Sequence, residues 1–310
     1  MLLGIALIYG ETGSTNLADI GRAVASGIGS RIVVTLGLLL LVAGFAFKMS
    51  LAPFHAWAPD TYQGAPSPFV GFLSVAPKAA SALVLLRLLQ TVGGEALGDK
   101  WPQLMAILAV LSMVVGNLLA LVQRDLKRML AYSGVAHMGY LAIAFTALSP
   151  TAWTQIVVYL FAYALMNAGA FAVVALLYRK SGETHQINDL AGLGYRQPVL
   201  AACLAISMLS LGGIPPTFGF FGKYLVFLHA IQNGQVALAI VGVLASLVGV
   251  FYYLRVVYTL YMKNETGAVE VPADFWGRVA AVVAAAATLA LGVWPWGLLR
   301  WMYDVVSGLS

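Results

Sequence analysis

Apolar residues in this chain gather in runs of about 20, the length an α-helix needs to cross the hydrocarbon core of a bilayer. Such runs occupy 31–54, 67–91, 102–123, 126–148, 151–178, 199–231, 236–262 and 275–302, and a shorter one fills 1–9. The pattern predicts an all-α polytopic membrane protein with about eight complete transmembrane helices and a partial ninth. Met1 to Tyr9 is too short to span and lacks the basic start and small-residue cleavage site of a signal peptide. It reads as the second half of a helix whose beginning is missing.

Composition agrees with the pattern. Of 310 residues, 61% are hydrophobic and 9% are charged, against roughly 25% charge in a soluble domain. The net charge of +5 does not point to nucleic acid, because the basic residues are scattered and no soluble domain carries a patch. The single cysteine, Cys203, excludes a disulfide or a cysteine cluster and reads as core packing.

The basic residues orient the spans. Arg124, Lys127, Arg128, Arg179, Lys180, Arg196, Lys263 and Arg278 fall on one side, and Arg22, Arg31, Lys100 and Arg300 on the other. The richer side is expected in the cytoplasm. Five cations remain inside spans: Lys48, Lys78, Arg87, Lys223 and Arg255. Arg87 and Arg255 stand near span ends, where long side chains snorkel to the interface.

The three lysines carry the functional signal, since no carboxylate shares any of their spans. A charged, unpaired lysine in hydrocarbon costs several kcal/mol, so an intramembrane lysine lines a wet cavity or a bundle interior. Burial also disfavours the ammonium form of any amine, which lets it load and unload a proton near neutral pH. Prolines accompany all three. Lys48 precedes Pro53, Lys78 follows Pro77, and Lys223 follows the run GGIPPTFGFFG, where Pro215 and Pro216 cannot continue a helical hydrogen-bond ladder. Segment 199–231 is too long for one straight crossing, so a break near Gly212 to Pro216 is predicted, with Lys223 near the start of the second half. Interrupted helices of this kind mark ion sites in transporters.

Further polar groups lie within the spans. His137 has Tyr132, Ser133 and Tyr140 within one or two turns, as candidate lining of a hydrated line. A histidine can take a proton on one nitrogen and release it from the other; the alternative is a core histidine bonded to a nearby hydroxyl. His55 either marks an entrance or anchors a turn, the anchor being favoured. His185 and His229 are expected in solvent, and Trp57, Trp101, Trp153, Trp276 and Trp301 in the interfacial aromatic belts. No phosphate-binding glycine loop, HExxH motif, cysteine ligand set or haem-type histidine pair is present, so no metal or cofactor site is expected.

The stretches FAFKMSLAPFHAWAPDTYQGAPSPFVGFLSVAPKAASALVLLRLL, GNLLALVQRDLKRMLAYSGVAHMGYLAIAF, LAISMLSLGGIPPTFGFFGKYLVF and FYYLRVVYTLYM resemble, in this order, the subunit N (subunit 2) family of the proton-translocating NADH-quinone oxidoreductase, respiratory complex I. The resemblance implies an antiporter-like fold of two inverted five-helix repeats, with 31–54 and 199–231 as the discontinuous helices. It also implies roles: Lys48 as the lysine of the first broken helix, Lys78 as the central lysine, His137 as the connecting histidine and Lys223 as the terminal lysine. The chain then begins within the sixth helix of a 14-helix subunit and lacks most of the first repeat. It forms a single transmembrane domain over 1–310: the end of the first repeat and start of the second at 1–148, the rest of the second at 151–231, and C-terminal helices at 236–310. The implied partners are the antiporter-like subunit M, small membrane subunits, the lipid bilayer and protons, in a prokaryotic cell membrane. NAD, flavin, iron–sulfur clusters and quinone would sit on partner subunits. The alternative is a subunit of a multisubunit cation/proton antiporter.

Overall fold

Helices form wherever the chain is apolar enough to need its backbone hydrogen bonds satisfied internally. A computed structural model describes residues 1–98, 100–149, 152–179, 182–183, 185–264, 269–271 and 274–307. Short helices α1 (Leu2–Thr12) and α2 (Leu17–Ala25) lead into α3 (Arg31–Met49), α4 (Trp57–Gly64) and α5 (Ser67–Leu88), which runs on through a π-helical turn, Leu89–Gly93, and the one-turn α6 (Gly94–Leu97). Next come α7 (Lys100–Val122), α8 (Leu126–Ile143) and α9 (Ala152–Val174), then the one-turn α10 (Leu193–Arg196). The series closes with α11 (Pro198–Gly212), α12 (Phe218–Gln232), α13 (Val236–Met262), α14 (Phe275–Val293) and α15 (Trp296–Ser307). Seven helices among the described residues are long and apolar enough to cross a membrane, and the α11–α12 pair supplies the predicted interrupted crossing. The chain is a multi-pass membrane protein.

The least apolar of the long spans, Leu126–Thr146, is 94% buried within the protein. That inversion is expected where lipid, not water, surrounds the fold: polar side chains turn toward the bundle and apolar ones toward the acyl chains. Helix α8 gets its central place through glycines. A Cβ on Gly116 of α7 would lie 2.5 Å from the Ala136 amide nitrogen, and one on Gly139 of α8 would lie 2.8 Å from that of Met113. The two backbones therefore cross with nothing between them.

The second break falls inside its expected segment, the first begins within 31–54 and runs past its end to residue 56, and the two are built alike. Helix α3 ends at Ser50 in the left-handed region (φ 61°) and α11 ends at Gly213 (φ 79°), each followed by a cis X–Pro bond, Ala52–Pro53 and Pro215–Pro216. Freed backbone groups find partners. The Ala52 N–H donates to Ser112 Oγ (2.9 Å) and the Trp57 indole donates to the Phe47 carbonyl (2.8 Å). At the second break the Gly219 N–H donates to Ser210 Oγ (3.1 Å).

Several expectations are corrected. The first break occupies residues 50–56 and α4 resumes beyond it, so His55 lies in the break itself. The run 275–302 is not one helix: Trp294–Pro295 separates α14 from α15, as a residue without an N–H does at a helix start. Trp57 is a capping residue, and Trp101 is 2% exposed with its indole donating to the Phe145 carbonyl (2.8 Å), so it is packed inside. His229 is fully buried, its Nε2 3.3 Å from the Ala147 carbonyl oxygen, because the end of α12 packs under the turn Ala144–Thr146. Arg255 reaches a span end, where its guanidinium donates to the Leu121 and Gln123 carbonyls (2.8 and 2.7 Å) at the close of α7. Cys203 is buried, as expected.

Candidate functional site

Lys78 on α5 is fully buried. Its amine lies 5.7 Å from the ring centre of Tyr62, delivered by α4 beyond the first break, and 6.0 Å from that of Tyr163 on α9. The amine and both tyrosine hydroxyls have no hydrogen-bond partner among the described residues. They have room to meet because residue 134 is glycine: a Cβ there would lie 2.9 Å from Lys78 Nζ and 2.9 Å from Tyr163 Oη. The two atoms therefore converge on one spot of α8, no further apart than twice that distance. Beside them, Ser81 Oγ donates to the Pro77 carbonyl (2.7 Å).

His137, one turn along α8 from Gly134, is 1% exposed. Its Nδ1 lies 2.7 Å from Tyr159 Oη and its Nε2 3.2 Å from Tyr253 Oη, and Tyr253 Oη shares a short hydrogen bond with Ser133 Oγ. Both ring nitrogens thus face hydroxyls, which donate or accept as the tautomer requires. The imidazole centre lies 5.2 Å from that of Tyr163 and 5.7 Å from that of Tyr140.

Lys223, on the second turn of α12, is 5% exposed. Its amine donates to the Gly212 carbonyl (3.0 Å), the last of α11, and to Ser246 Oγ (2.8 Å), and it stands 4.9 Å from the Tyr140 ring centre. Tyr140 in turn accepts from Asn117 Nδ2 (2.9 Å), whose Oδ1 accepts from Tyr252 (3.1 Å). Lys78, Tyr163, His137, Tyr140 and Lys223 form a buried row whose successive members meet through ring and cation–ring contacts.

Not every candidate joins it. Lys48 is exposed on the last turn of α3, and Pro53, Pro215 and Pro216 are exposed at the breaks. His55 is half-buried, its ring centre 6.3 Å from that of Tyr132; Tyr132 lies off the row. Ser133 and Tyr140 are on it. His185, expected in solvent, lies with its Nε2 3.4 Å from the buried Lys127 amine, which also donates to the Ala65 carbonyl. Sequence reasoning missed Tyr62, Tyr159, Tyr163, Tyr253 and Ser246. The spacing of Tyr159, Tyr163 and Asn167, each four apart, sets all three on one face of α9 and was the available signal.

Residues 1–249 match the family described as NADH:quinone oxidoreductase/Mrp antiporter, transmembrane. Over 311 residues the chain is 43% identical to NADH-quinone oxidoreductase subunit N of Trichlorobacter lovleyi, covering 99% of this chain and 63% of the relative. It is 42% identical to the subunit N of Salinibacter ruber, over 96% of this chain and 62% of the relative. The chain therefore spans less than two thirds of the length of these relatives. Among solved structures, a chain of respiratory complex I from Thermus thermophilus with bound aureothin superposes with a TM-score of 0.82 at 38% identity, over 96% of this chain and 64% of that one. A chain of the Mrp complex of a Dietzia species shares the fold, with a TM-score of 0.86 at 21% identity, over 99% and 65%. The chain belongs to the NADH:quinone oxidoreductase/Mrp antiporter transmembrane family.

Proposed function

We propose that this member of the family moves protons across a bacterial inner membrane as the subunit N component of an NADH-quinone oxidoreductase. The observation that carries the reading is the buried row from Lys78 through His137 to Lys223. Among its described neighbours no carboxylate holds the lysines charged, and every gap in the row is flanked by a hydroxyl. Redox chemistry and its cofactors belong, in this reading, to partner subunits; antiporter-like subunit M and small membrane subunits would adjoin the chain. The subunit N relatives at above 40% identity favour this over cation/proton antiport, for which the Mrp likeness supports the fold alone.

The row works by short steps. Lys78 and the Tyr163 hydroxyl meet over Gly134, the Tyr163 ring packs beside His137, and the imidazole passes a proton by accepting on one nitrogen and releasing from the other. Beyond it, Lys223 borders the second break, where backbone carbonyls and Ser246 offer a polar setting. Lys48, exposed on α3, stands apart from these steps.

The test is substitution at Lys78 in membrane vesicles carrying the assembled complex, measuring acidification of the lumen against NADH oxidation. Lys78→Ala should remove most proton movement per NADH oxidised. Lys78→Arg should not restore it, because guanidinium does not release its proton in proteins. Normal pumping in Lys78→Ala would end the proposal.

A further inference from the structure

Arg87 has no place in the relay. It stands on α5 six residues before the end of the π-helical turn, about 9 Å along the helix, and is exposed, its guanidinium making no hydrogen bond or ion pair among the described residues. An exposed arginine near a span end carries its guanidinium toward the headgroup level, where lipid phosphates are within reach of its side chain.

The surroundings supply a shaped groove. A cavity of about 910 Å³ lies between the end of α5, the start of α9 and the end of α15, lined by Arg87, Gln90, Trp153, Leu83, Val157 and Val306 among others. Its polar groups collect at one end. The Trp153 indole donates to Gln90 Oε1, which fixes the carboxamide so that its NH₂ remains unengaged, one turn from the guanidinium. Leu83 lies one turn deeper than Arg87, and Val157 lies five residues into α9, about 7.5 Å from its start. Two donors at the rim and apolar walls below match a phosphate with an acyl chain beneath it.

We propose that this groove binds an anionic glycerophospholipid, its phosphate bridging the Arg87 guanidinium and the Gln90 amide and one acyl chain lying along Leu83 and Val157. The lining residues include no carboxylate, so the cationic headgroup of a zwitterionic lipid would find no partner, whereas phosphatidylglycerol brings only the charge that Arg87 lacks. The bidentate fit of guanidinium to phosphate adds geometric selection.

The experiment uses the full chain in detergent micelles, titrated with phosphatidylglycerol and with phosphatidylcholine of the same acyl chains and read by native mass spectrometry. The wild type should hold phosphatidylglycerol at least about tenfold more tightly than phosphatidylcholine, as a charge-assisted hydrogen bond implies. Arg87→Gln should remove the preference, and Val157→Trp, which fills the groove without touching the charge, should weaken both lipids. Equal binding of the two lipids by the wild type, or a preference that survives Arg87→Gln, would overturn the proposal. So would a carboxylate of a neighbouring chain seated on Arg87 in a structure of the assembled complex.

Discussion

Gly134→Ala isolates the meeting of Lys78 and Tyr163 from the chemistry of either group. The new Cβ would lie 2.9 Å from Lys78 Nζ and 2.9 Å from Tyr163 Oη, while non-bonded heavy atoms prefer separations of about 3.5 Å. Each polar atom must therefore retreat by roughly half an ångström. Both are side-chain ends, so the fold can absorb the change: overpacking costs about 1–3 kcal/mol, offset by up to about 1 kcal/mol of helix propensity gained on replacing glycine. Proton transfer is less forgiving, since a misplacement near 1 Å slows a positioned reaction by about a hundredfold. The expected outcome is a subunit that assembles normally but moves at most about a tenth as many protons per NADH oxidised, read in vesicles by quenching of a pH-sensitive dye. Gly64→Ala is the control, because a Cβ there meets nothing within 4 Å. Wild-type pumping in an assembled Gly134→Ala complex would show that the path does not run between Lys78 and Tyr163.

Three further outcomes follow from the packing. Gly219→Ala puts a Cβ 2.0 Å from the Ser210 carbonyl oxygen, a backbone atom that cannot swing aside; it should destabilise the second break by more than about 3 kcal/mol and deplete folded chain from membranes, which immunoblotting measures. Arg255→Ala strands the Leu121 and Gln123 carbonyls and should lower thermal stability by about 1–3 kcal/mol, with Arg255→Lys recovering only part, since an ammonium lacks the fork that reaches both; equal melting of all three proteins would refute the capping role. Lys223→Met should speed hydrogen exchange across 209–219 relative to wild type, because the Gly212 carbonyl loses its donor; unchanged exchange would show that the lysine does not hold the break.

Spans and breaks were legible because the bilayer imposes them. Twenty apolar residues have few other uses, and GGIPP cannot remain helical, so the limits of α5, α7, α9 and α13 and the position of the second break came within a few residues of the pattern. The amphipathic α2 was not legible: nine residues closed by Asn16 at one end and packed on the turn Leu89–Gly93 carry too little apolar length to stand out. The lysines were visible as charges in apolar runs, but their environments were not. Lys48, six residues from the end of its run, is exposed, whereas Lys78, deeper in its own, is fully enclosed. Tyrosine is the deeper ambiguity. Tyr159, Tyr163 and Tyr253 count as apolar in a span, and only the fold shows that their hydroxyls converge on α8 at Ser133, Gly134 and His137.

The second break joins fold and chemistry in one bond. At the first break the Phe47 carbonyl is held by the Trp57 indole, a donor whose charge never changes. At the second, the carbonyl that ends α11 is held by the amine of Lys223, the group that the proposed pathway loads and unloads. A hydrogen bond from an ionised donor is about twice as strong as one from a neutral donor, so proton loss would loosen the grip on Gly212 by about 1 kcal/mol. Gly213, which has no Cβ to resist a change of φ, is the next residue, and the built Cβ position there is only 2.9 Å from Lys223 Cδ. The half-helix and the lysine are therefore packed so that neither shifts alone. Loss or gain of a proton on Lys223 would then act on the backbone of α11 as well as on the next proton in the row, whereas the Phe47 carbonyl at the first break is held by a neutral indole.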